Sequence, residues 1–334
     1  MPVQIGIIGC GVMGADHARL LRGDVPGGTL VAVHDPDVSR AAQVAAAGEI
    51  RIHRSAEDLI ADGGVDAVII AAPDRTHGAL TITCVEAGKP VLCEKPLAAT
   101  LEEGRSVVAA EIKGGRRLVQ VGFMRRFDPG YRAMRRSLEE QSFGRPLFLH
   151  CVHRNAVAPH YITSDLVIAN SSVHEIDIAR FLLDEEFATV TMVSARPSRK
   201  AASRQPQFMV LETPAGVVVT VEVFVDAQYG YDVQAELVCE DGTVSLAPQP
   251  PLAQRHANQD GFKVAADWRA RFADAYRCQL RDWVASIESG QPVGSSAWDG
   301  YAASMTAAAA LRALATGSKV AIKLDERPAF YAPT

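Results

Sequence analysis

The chain has 334 residues, of which 48% are hydrophobic and 22% are charged, and its formal net charge at pH 7 is -5. This length exceeds a single compact core and suits two domains. The acidic balance gives no electrostatic basis for binding nucleic acid or an anionic membrane. The longest apolar runs, such as residues 217–221, fall far short of a membrane span.

Two further features of the whole sequence concern location and metals. The amino terminus enters an apolar strand without a basic leader, so we expect a cytoplasmic protein. The six cysteines are scattered, with neither a Cys-x-x-Cys pair nor a Cys/His ladder at zinc spacing. They predict small core residues in a reducing compartment and no bound metal.

The first third of the chain alternates short apolar runs with helical patterns. The predicted strands cover residues 3–8, 29–34, 50–52, 66–71, 90–93 and 117–121. The predicted helices cover residues 15–22, 39–47 and 77–87, and two more begin near residues 55 and 101. This repetition predicts an α/β domain over residues 1–123, a doubly wound parallel sheet with helices on both faces.

After about residue 123 the pattern changes to long apolar runs that are separated by turn residues. The predicted strands cover residues 146–152, 189–195, 208–211, 217–225, 233–238 and 243–246, and the clearest helices cover 172–183, 268–289 and 297–315. We therefore expect an α+β domain over residues 124–334 with an open, mainly antiparallel sheet. Residues 217–225 alternate only weakly, which suggests that a second subunit covers one face of this sheet.

The first functional motif is Gly9-Cys10-Gly11-Val12-Met13-Gly14, which follows the first strand and opens the first helix. This context is the one that the Rossmann dinucleotide-binding fingerprint requires. Gly9 permits the tight turn, Gly11 lets the backbone approach a pyrophosphate, and Gly14 allows close packing of helix on strand. The alternative is a glycine-rich turn that binds nothing.

Asp35 ends the second strand, where an acidic residue holds the two ribose hydroxyls of NAD. Its charge would repel the 2'-phosphate of NADP, and the next residues, Pro36 and Asp37, offer no compensating cation. The sequence therefore favours NAD over NADP. The alternative is a solvated carboxylate in a turn.

Two later strand ends lie at the same carboxyl edge, where ligands bind in open α/β sheets. Ala72 and Pro73 follow the fourth strand and are placed to line the cofactor, and His77 either contacts a cofactor ribose or merely adjoins a helix cap. Glu94 and Lys95 follow the fifth strand. A lysine there can hold a substrate hydroxyl and share its proton, although Lys-Pro is more often a surface feature.

His174 stands near the entry of a predicted helix, four residues after Asn170. A histidine facing a cleft is a suitable general base for an alcohol proton, because it titrates near working pH. A structural role for a lone histidine is the open alternative.

These motifs together give the chain a family resemblance. Residues 1–324 resemble the glucose–fructose oxidoreductase, inositol dehydrogenase and rhizopine-catabolism family, and most closely its inositol 2-dehydrogenase members. The resemblance is carried by the glycine motif, Glu94-Lys95-Pro96, His174-Glu175-Ile176-Asp177 and residues 298–303, and the finer likeness by residues 122–131, 150–155 and 223–232.

The resemblance implies NAD-dependent oxidation of a ring secondary alcohol, with myo-inositol converted to 2-keto-inositol. It implies that His174 takes the hydroxyl proton, that Lys95 stabilises the developing alkoxide, and that hydride passes to C4 of the nicotinamide. Arg125, His153 and a tyrosine of Tyr229-Gly230-Tyr231, with Tyr231 preferred, would hold the ring hydroxyls. It also implies a homo-oligomer, a tetramer in many members of the family.

One position departs from the family pattern. Members with inositol dehydrogenase activity usually have Asp four residues before the catalytic histidine, where this chain has Asn170. An amide can orient imidazole or a substrate hydroxyl, but it cannot support an imidazolium by charge. Two alternatives therefore stay open: a dehydrogenase of another cyclitol, aminocyclitol or aldose, and a non-catalytic regulator that binds a dinucleotide or sugar.

Overall fold

The computed structural model describes residues 1–46, 48–247, 254–261 and 263–332. Contacts between Cα atoms divide the chain into two compact units. The first unit comprises Met1–Met124, Tyr276–Ala302 and Glu326–Thr334, and the second comprises Arg125–Ala275 and Ala303–Asp325. Two late segments therefore group with the first unit, although the linear division at residue 123 assigned them to the second domain.

The first unit is built on a six-stranded parallel sheet. Its strands are β1 (Val3–Ile8), β2 (Gly28–His34), β3 (Arg51–Ile52), β4 (Ala67–Ile70), β5 (Val91–Cys93) and β6 (Val119–Val121). The spatial order β3-β2-β1-β4-β5-β6 reverses direction after β1, and every neighbouring pair is parallel. This confirms the predicted doubly wound sheet and brings all six carboxyl ends to one edge.

Five helices follow the first five strands. They are α1 (Val12–Gly23), α2 (Val38–Ala45), α3 (Ala56–Ala61), α4 (His77–Glu86) and α5 (Leu101–Gly114). The predicted helix bounds agree with these to within a few residues, and side-chain caps mark the starts of α2, α3 and α5. Thr100, for example, caps α5 in a reciprocal capping box with Glu103. Ala47, predicted to end the second helix, lies outside the described residues.

The second unit contains a seven-stranded mixed sheet. Its strands are β7 (Pro146–Arg154), β8 (Thr189–Ser194), β9 (Gln207–Glu212), β10 (Val218–Phe224), β11 (Asp232–Cys239), β12 (Thr243–Ser245) and β15 (Val320–Ala321), and a separate hairpin pairs β13 (Gln254–His256) with β14 (Gln259–Gly261). The order is β12-β11-β7-β10-β9-β8-β15, and only β7 and β10 run parallel. The expected mainly antiparallel sheet is confirmed.

The remaining helices are α6 (Pro129–Glu139), α7 (Ser164–Leu166), α8 (Val173–Leu183), α9 (Trp268–Ser289) and α10 (Ala297–Thr316). A π-helical segment, Val167–Ser172, joins α7 directly to α8. The residues of α9 and α10 are divided between the two units. In the described part of the chain, no helix is both long and apolar enough to cross a membrane.

Candidate active site

The glycine motif forms the turn between β1 and α1. Gly9 has φ +92°, and a Cβ atom there would lie 2.4 Å from the carbonyl oxygen of Ala71. A Cβ atom at Gly14 would lie 1.8 Å from the carbonyl oxygen of Gly9, whereas one at Gly11 would meet nothing within 4 Å. Gly9 and Gly14 are thus required for packing. Gly11 leaves the backbone at the start of α1 open to close approach by a ligand. Gly11 caps α1 without a side-chain hydrogen bond, so this helix start suits a pyrophosphate.

Asp35 connects the end of β2 to this turn. Its Oδ2 accepts the backbone N–H of Cys10 at 2.7 Å, and its Oδ1 accepts that of Asp37 at 2.8 Å. An ionised carboxylate has about four acceptor positions, so each oxygen retains capacity for a ribose hydroxyl. Burial, together with the charge of Asp35, raises the pKa of the Cys10 thiol to about 12. Val12 is 62% exposed at the same turn, and Met13 is half-buried.

His77 joins the ends of β4 and β5. It is buried at the start of α4, with Nδ1 2.6 Å from the carbonyl oxygen of Pro96 and Nε2 2.8 Å from that of Ala72. Pro73 next to Ala72 is exposed. The structure therefore brings Ala72, Pro73, His77 and the Lys95–Pro96 connection to one edge of the sheet.

Glu94 and Lys95 follow β5 with different environments. Glu94 is buried, and its Oε1 lies 2.8 Å from Nε2 of His17 on α1. A Cβ atom at Gly122 would lie 2.7 Å from Oε2 of Glu94, so the backbone after β6 packs directly against this carboxylate. Lys95 is half-buried. The Glu94 side chain is thus turned into the protein, where it fixes the backbone that carries Lys95.

In the second unit, Glu175 contacts two of the residues that are predicted to bind the substrate, Arg125 and His153. Its carboxylate forms an ion pair with Arg125, and its Oε2 lies 3.1 Å from Nδ1 of His153. The side chains of Arg125 and Glu175 are each 1% exposed. Burial by itself would raise the pKa of Glu175, but Arg125 and His153 lower it below its usual range. Glu175 is therefore a buried anion that orients two cationic or polar groups.

Tyr231 and His174 lie beside this cluster. The ring centroid of His153 is 5.9 Å from that of Tyr231 and 6.3 Å from that of His174. Tyr231 is 6% exposed, whereas Tyr229 is 51% exposed and donates from its hydroxyl to Asp232 at 2.5 Å. Of the two tyrosines that the sequence left open, Tyr231 is the one that packs with His153.

His174 is the second residue of α8, and Asn170 lies in the preceding π-helical segment. The sequence predicted a helix that begins near Ser172, but the helical backbone begins at Ser164. Single-turn π segments occur frequently at functional sites, because they change which residues share a helix face. Both residues are half-buried.

Sequence reasoning missed two residues of this arrangement, Glu175 and His17. Glu175 stands next to His174 in a motif that was already noted, and His17 lies three residues after Gly14. Each makes its key contact more than twenty positions away, to His153 or to Glu94. Nothing in the local pattern separates such residues from ordinary helix positions.

Comparison with known proteins covers both units. Residues 3–123 match the model of an oxidoreductase family with an NAD-binding Rossmann fold, and residues 131–245 match the GFO/IDH/MocA C-terminal domain. Inositol 2-dehydrogenase 1 of Saccharopolyspora erythraea is 53% identical over 99% of each chain, and an inositol 2-dehydrogenase of Burkholderia cenocepacia is 41% identical over 99% of each.

A solved structure extends this likeness to three dimensions. The myo-inositol dehydrogenase of Lactobacillus casei, determined in complex with NAD(H) and myo-inositol, superposes with a TM-score of 0.96. It is 32% identical, and the match covers 99% of this chain and 100% of that one. The family indicated by the glycine motif, Glu94-Lys95-Pro96 and the His174 motif is thereby confirmed, and the chain belongs to the GFO/IDH/MocA family of NAD-dependent oxidoreductases.

Proposed function

We propose that this enzyme oxidises myo-inositol to 2-keto-inositol with NAD as the hydride acceptor. The observation that carries the proposal is the whole-length likeness to the Lactobacillus casei dehydrogenase that was solved with NAD(H) and myo-inositol. The open backbone at Gly11 and the carboxylate of Asp35 support NAD independently, because they supply an anion site and ribose acceptors in the first unit.

The proposed roles of the residues follow from their chemistry. When bound, NAD supplies the nicotinamide C4 that receives the hydride. His174 takes the proton of the substrate hydroxyl, and the Lys95 ammonium stabilises the alkoxide that develops as this proton leaves. The carbon thus loses a hydride and the oxygen a proton, which leaves a ketone.

The remaining predicted residues serve binding. We assign the ring hydroxyls of the substrate to Arg125, His153, Asn170 and Tyr231. We assign the cofactor to Gly9, Gly11, Val12, Met13, Gly14, Asp35, Ala72, Pro73, Glu94 and Lys95. His77, which the sequence offered as a ribose contact, is left out of this set because both of its ring nitrogens contact main-chain carbonyl oxygens. The buried ion pair with Glu175 supports the substrate group, since it holds the Arg125 fork and the His153 ring in fixed orientations.

Asn170 favours a second candidate, oxidation of another cyclitol, an aminocyclitol or an aldose. A neutral amide in place of a carboxylate changes both the charge and the hydrogen-bonding pattern offered to a ring substituent. The regulator hypothesis is disfavoured, because a sensor needs neither the lysine at position 95 nor the histidine at position 174.

We further infer that the enzyme works as a homo-oligomer, with a tetramer as the expected form, in the cytoplasm. Exposed apolar side chains on one face of the second sheet, such as Phe148 of β7, support the oligomer. The expected location rests on the small-molecule substrate.

The deciding experiment is an absorbance assay for NADH with a panel of ring polyols and aldoses, run with NAD and with NADP. We expect turnover of myo-inositol with NAD, and loss of turnover in Lys95→Ala and His174→Ala. Turnover of a different polyol alone would support the second candidate. Absence of turnover across the panel at millimolar substrate would contradict the enzymatic proposal.

A further inference from the structure

His77 lies at the carboxyl edge of the first sheet, and its ring contacts only the protein's own backbone in the hydrogen bonds described above. Both ring nitrogens contact main-chain carbonyl oxygens, of Ala72 and of Pro96, and the residue is 1% exposed. The first carbonyl lies just after β4 and the second just after β5. One side chain therefore ties together the two strand ends that carry Pro73 and Lys95.

The chemistry of these contacts fixes the form of the ring. A carbonyl oxygen only accepts hydrogen bonds, so two short contacts are satisfied together only when both ring nitrogens carry hydrogen. Burial lowers the pKa of His77, but its contacts with Cys93 and with both carbonyls outweigh that effect and raise the pKa to about 10. The two carbonyl contacts therefore favour a ring that donates from both nitrogens.

The contacts of His77 bracket Lys95. Cys93, which touches the ring, lies two residues before Lys95, and Pro96, whose carbonyl accepts from it, directly follows. Between them, Glu94 is held separately by His17 at 2.8 Å. The backbone of Lys95 is therefore held from both sides by buried polar contacts within the first unit.

We propose that His77 is a positioning residue that sets the place of the Lys95 ammonium, and not a ligand of the cofactor ribose. A ribose hydroxyl could reach a ring nitrogen only by displacing one of the two carbonyls. The inference rests on the proposed catalytic role of Lys95. Displacement of a reacting group by about 1 Å can cost roughly 100-fold in rate, so loss of this clamp should act on turnover.

The test uses a graded pair of substitutions in the full-length enzyme. His77→Leu removes both donors, and His77→Gln keeps an amide that can still donate to one carbonyl. We expect kcat to fall roughly 100-fold in His77→Leu and about tenfold in His77→Gln. The dissociation constant of NADH, measured by fluorescence, should stay within about threefold, since the anion and ribose sites are intact. The partial rescue by Gln separates hydrogen bonding from packing.

The matched control is His53→Gln. His53 is another histidine of the first unit, with Nε2 3.1 Å from Oδ2 of Asp62. It follows β3, which three strands separate from β5 and Lys95. This variant should keep wild-type kcat. A crystal structure of His77→Leu supplies a readout without turnover: we expect the Lys95 Nζ and the Pro96 carbonyl to move while the glycine turn stays in place.

The outcomes separate this inference from the proposed function. Wild-type kcat in His77→Leu, or an unmoved Lys95 in its crystal structure, would overturn the positioning role. A weakened NADH affinity with unchanged kcat would assign His77 to the cofactor instead. If Lys95→Ala keeps wild-type turnover, the catalytic assignment of Lys95 itself fails. If Lys95→Ala loses turnover while His77→Leu keeps the wild-type rate, only the positioning role of His77 is contradicted.

Discussion

At the scale of single residues, the choice of cofactor depends on Asp35. Replacement of this residue by alanine removes the charge that repels a 2'-phosphate and the acceptors for the ribose hydroxyls. We expect Asp35→Ala to lower kcat/KM with NAD at least tenfold, about 1.4 kcal/mol, and to narrow the preference for NAD over NADP. The ratio of the two kcat/KM values measures this preference.

Asp37→Ala is the matched control for Asp35→Ala. The Asp37 side chain caps α2 by accepting from the backbone N–H of Ser39 and Arg40. Its loss should cost about 1 kcal/mol of stability without changing the cofactor preference. An unchanged NAD/NADP ratio in Asp35→Ala would show that Asp35 does not contact the ribose.

Asn170 offers a second prediction at this scale. A carboxylate at position 170, four residues before His174, would stabilise the imidazolium that forms when His174 takes the proton. We expect Asn170→Asp to raise kcat for myo-inositol, roughly tenfold, and Asn170→Ala to lower it. The measurement is steady-state turnover of each variant with the polyol panel.

The opposite result for Asn170→Asp would be equally informative. A fall in kcat would mean that the amide itself contacts the substrate, which favours another cyclitol or an aminocyclitol as the natural one. A wild-type rate in both variants would remove Asn170 from the site.

At the scale of elements, α8 carries a fully buried ion pair, that of Glu175 with Arg125. Removal of one partner from such a pair leaves the other charge buried and typically costs 3–5 kcal/mol. We expect Glu175→Gln to lower the free energy of unfolding in urea by about this amount. The control is Glu139→Gln, which breaks a pair with Arg135 on α6 whose side chains are 54% and 22% exposed. That pair should contribute about 1 kcal/mol or less.

The same pair has a defined pH dependence. The folded state holds the pKa of Glu175 below its usual value, so the stabilisation by its charge is complete above that usual value, about 4.3. It is lost as the pH falls through the lowered folded-state pKa. The stability gap between wild type and Glu175→Gln should therefore be constant from pH 8 to about 6 and shrink in acid. A gap that widens in acid would contradict this assignment.

The elements also show what the sequence could predict. Local caps and turns mark many of the elements that the sequence predicts: Thr100 opens α5 with its capping box, and Gly216 turns between β9 and β10 with φ +91°. The helix α6 and the short strand β15 were not predicted. The π-helical backbone before α8 was not predicted, because its residues have no distinctive period. The ion pair of Arg125 with Glu175 was missed since it depends on which side chains the fold brings together.

At the scale of the whole molecule, the exposed face of the second sheet predicts association. On this face the register places Phe148 of β7 beside Val218 of β10 and Val238 of β11. Phe148 is 42% exposed, and contiguous exposed apolar patches mark protein–protein contact sites. We expect light scattering at micromolar protein to give about four times the 35.8 kDa of one chain.

A charged substitution on this face tests the association. Phe148→Asp should shift the mass towards smaller species, because it buries a charge without a partner. Ile112→Asp is the control, since Ile112 is 39% exposed on α5 of the first unit. A wild-type protein that is monomeric at this concentration would contradict the predicted oligomer.

The first unit is built from segments that lie far apart in the sequence, and this affects how it folds during synthesis. Its last strand, β6, pairs along its outer edge with Ser295, and the buried carboxylate of Glu111 on α5 accepts from the hydroxyl of Tyr331 at 2.5 Å. Chains emerge from the ribosome amino terminus first, and domains commonly fold in that order. Here the domain that is synthesised first cannot complete these hydrogen bonds until residues 295 and 331 have left the ribosome. We therefore expect the dinucleotide-binding domain to stay incompletely folded during synthesis until these later segments are available.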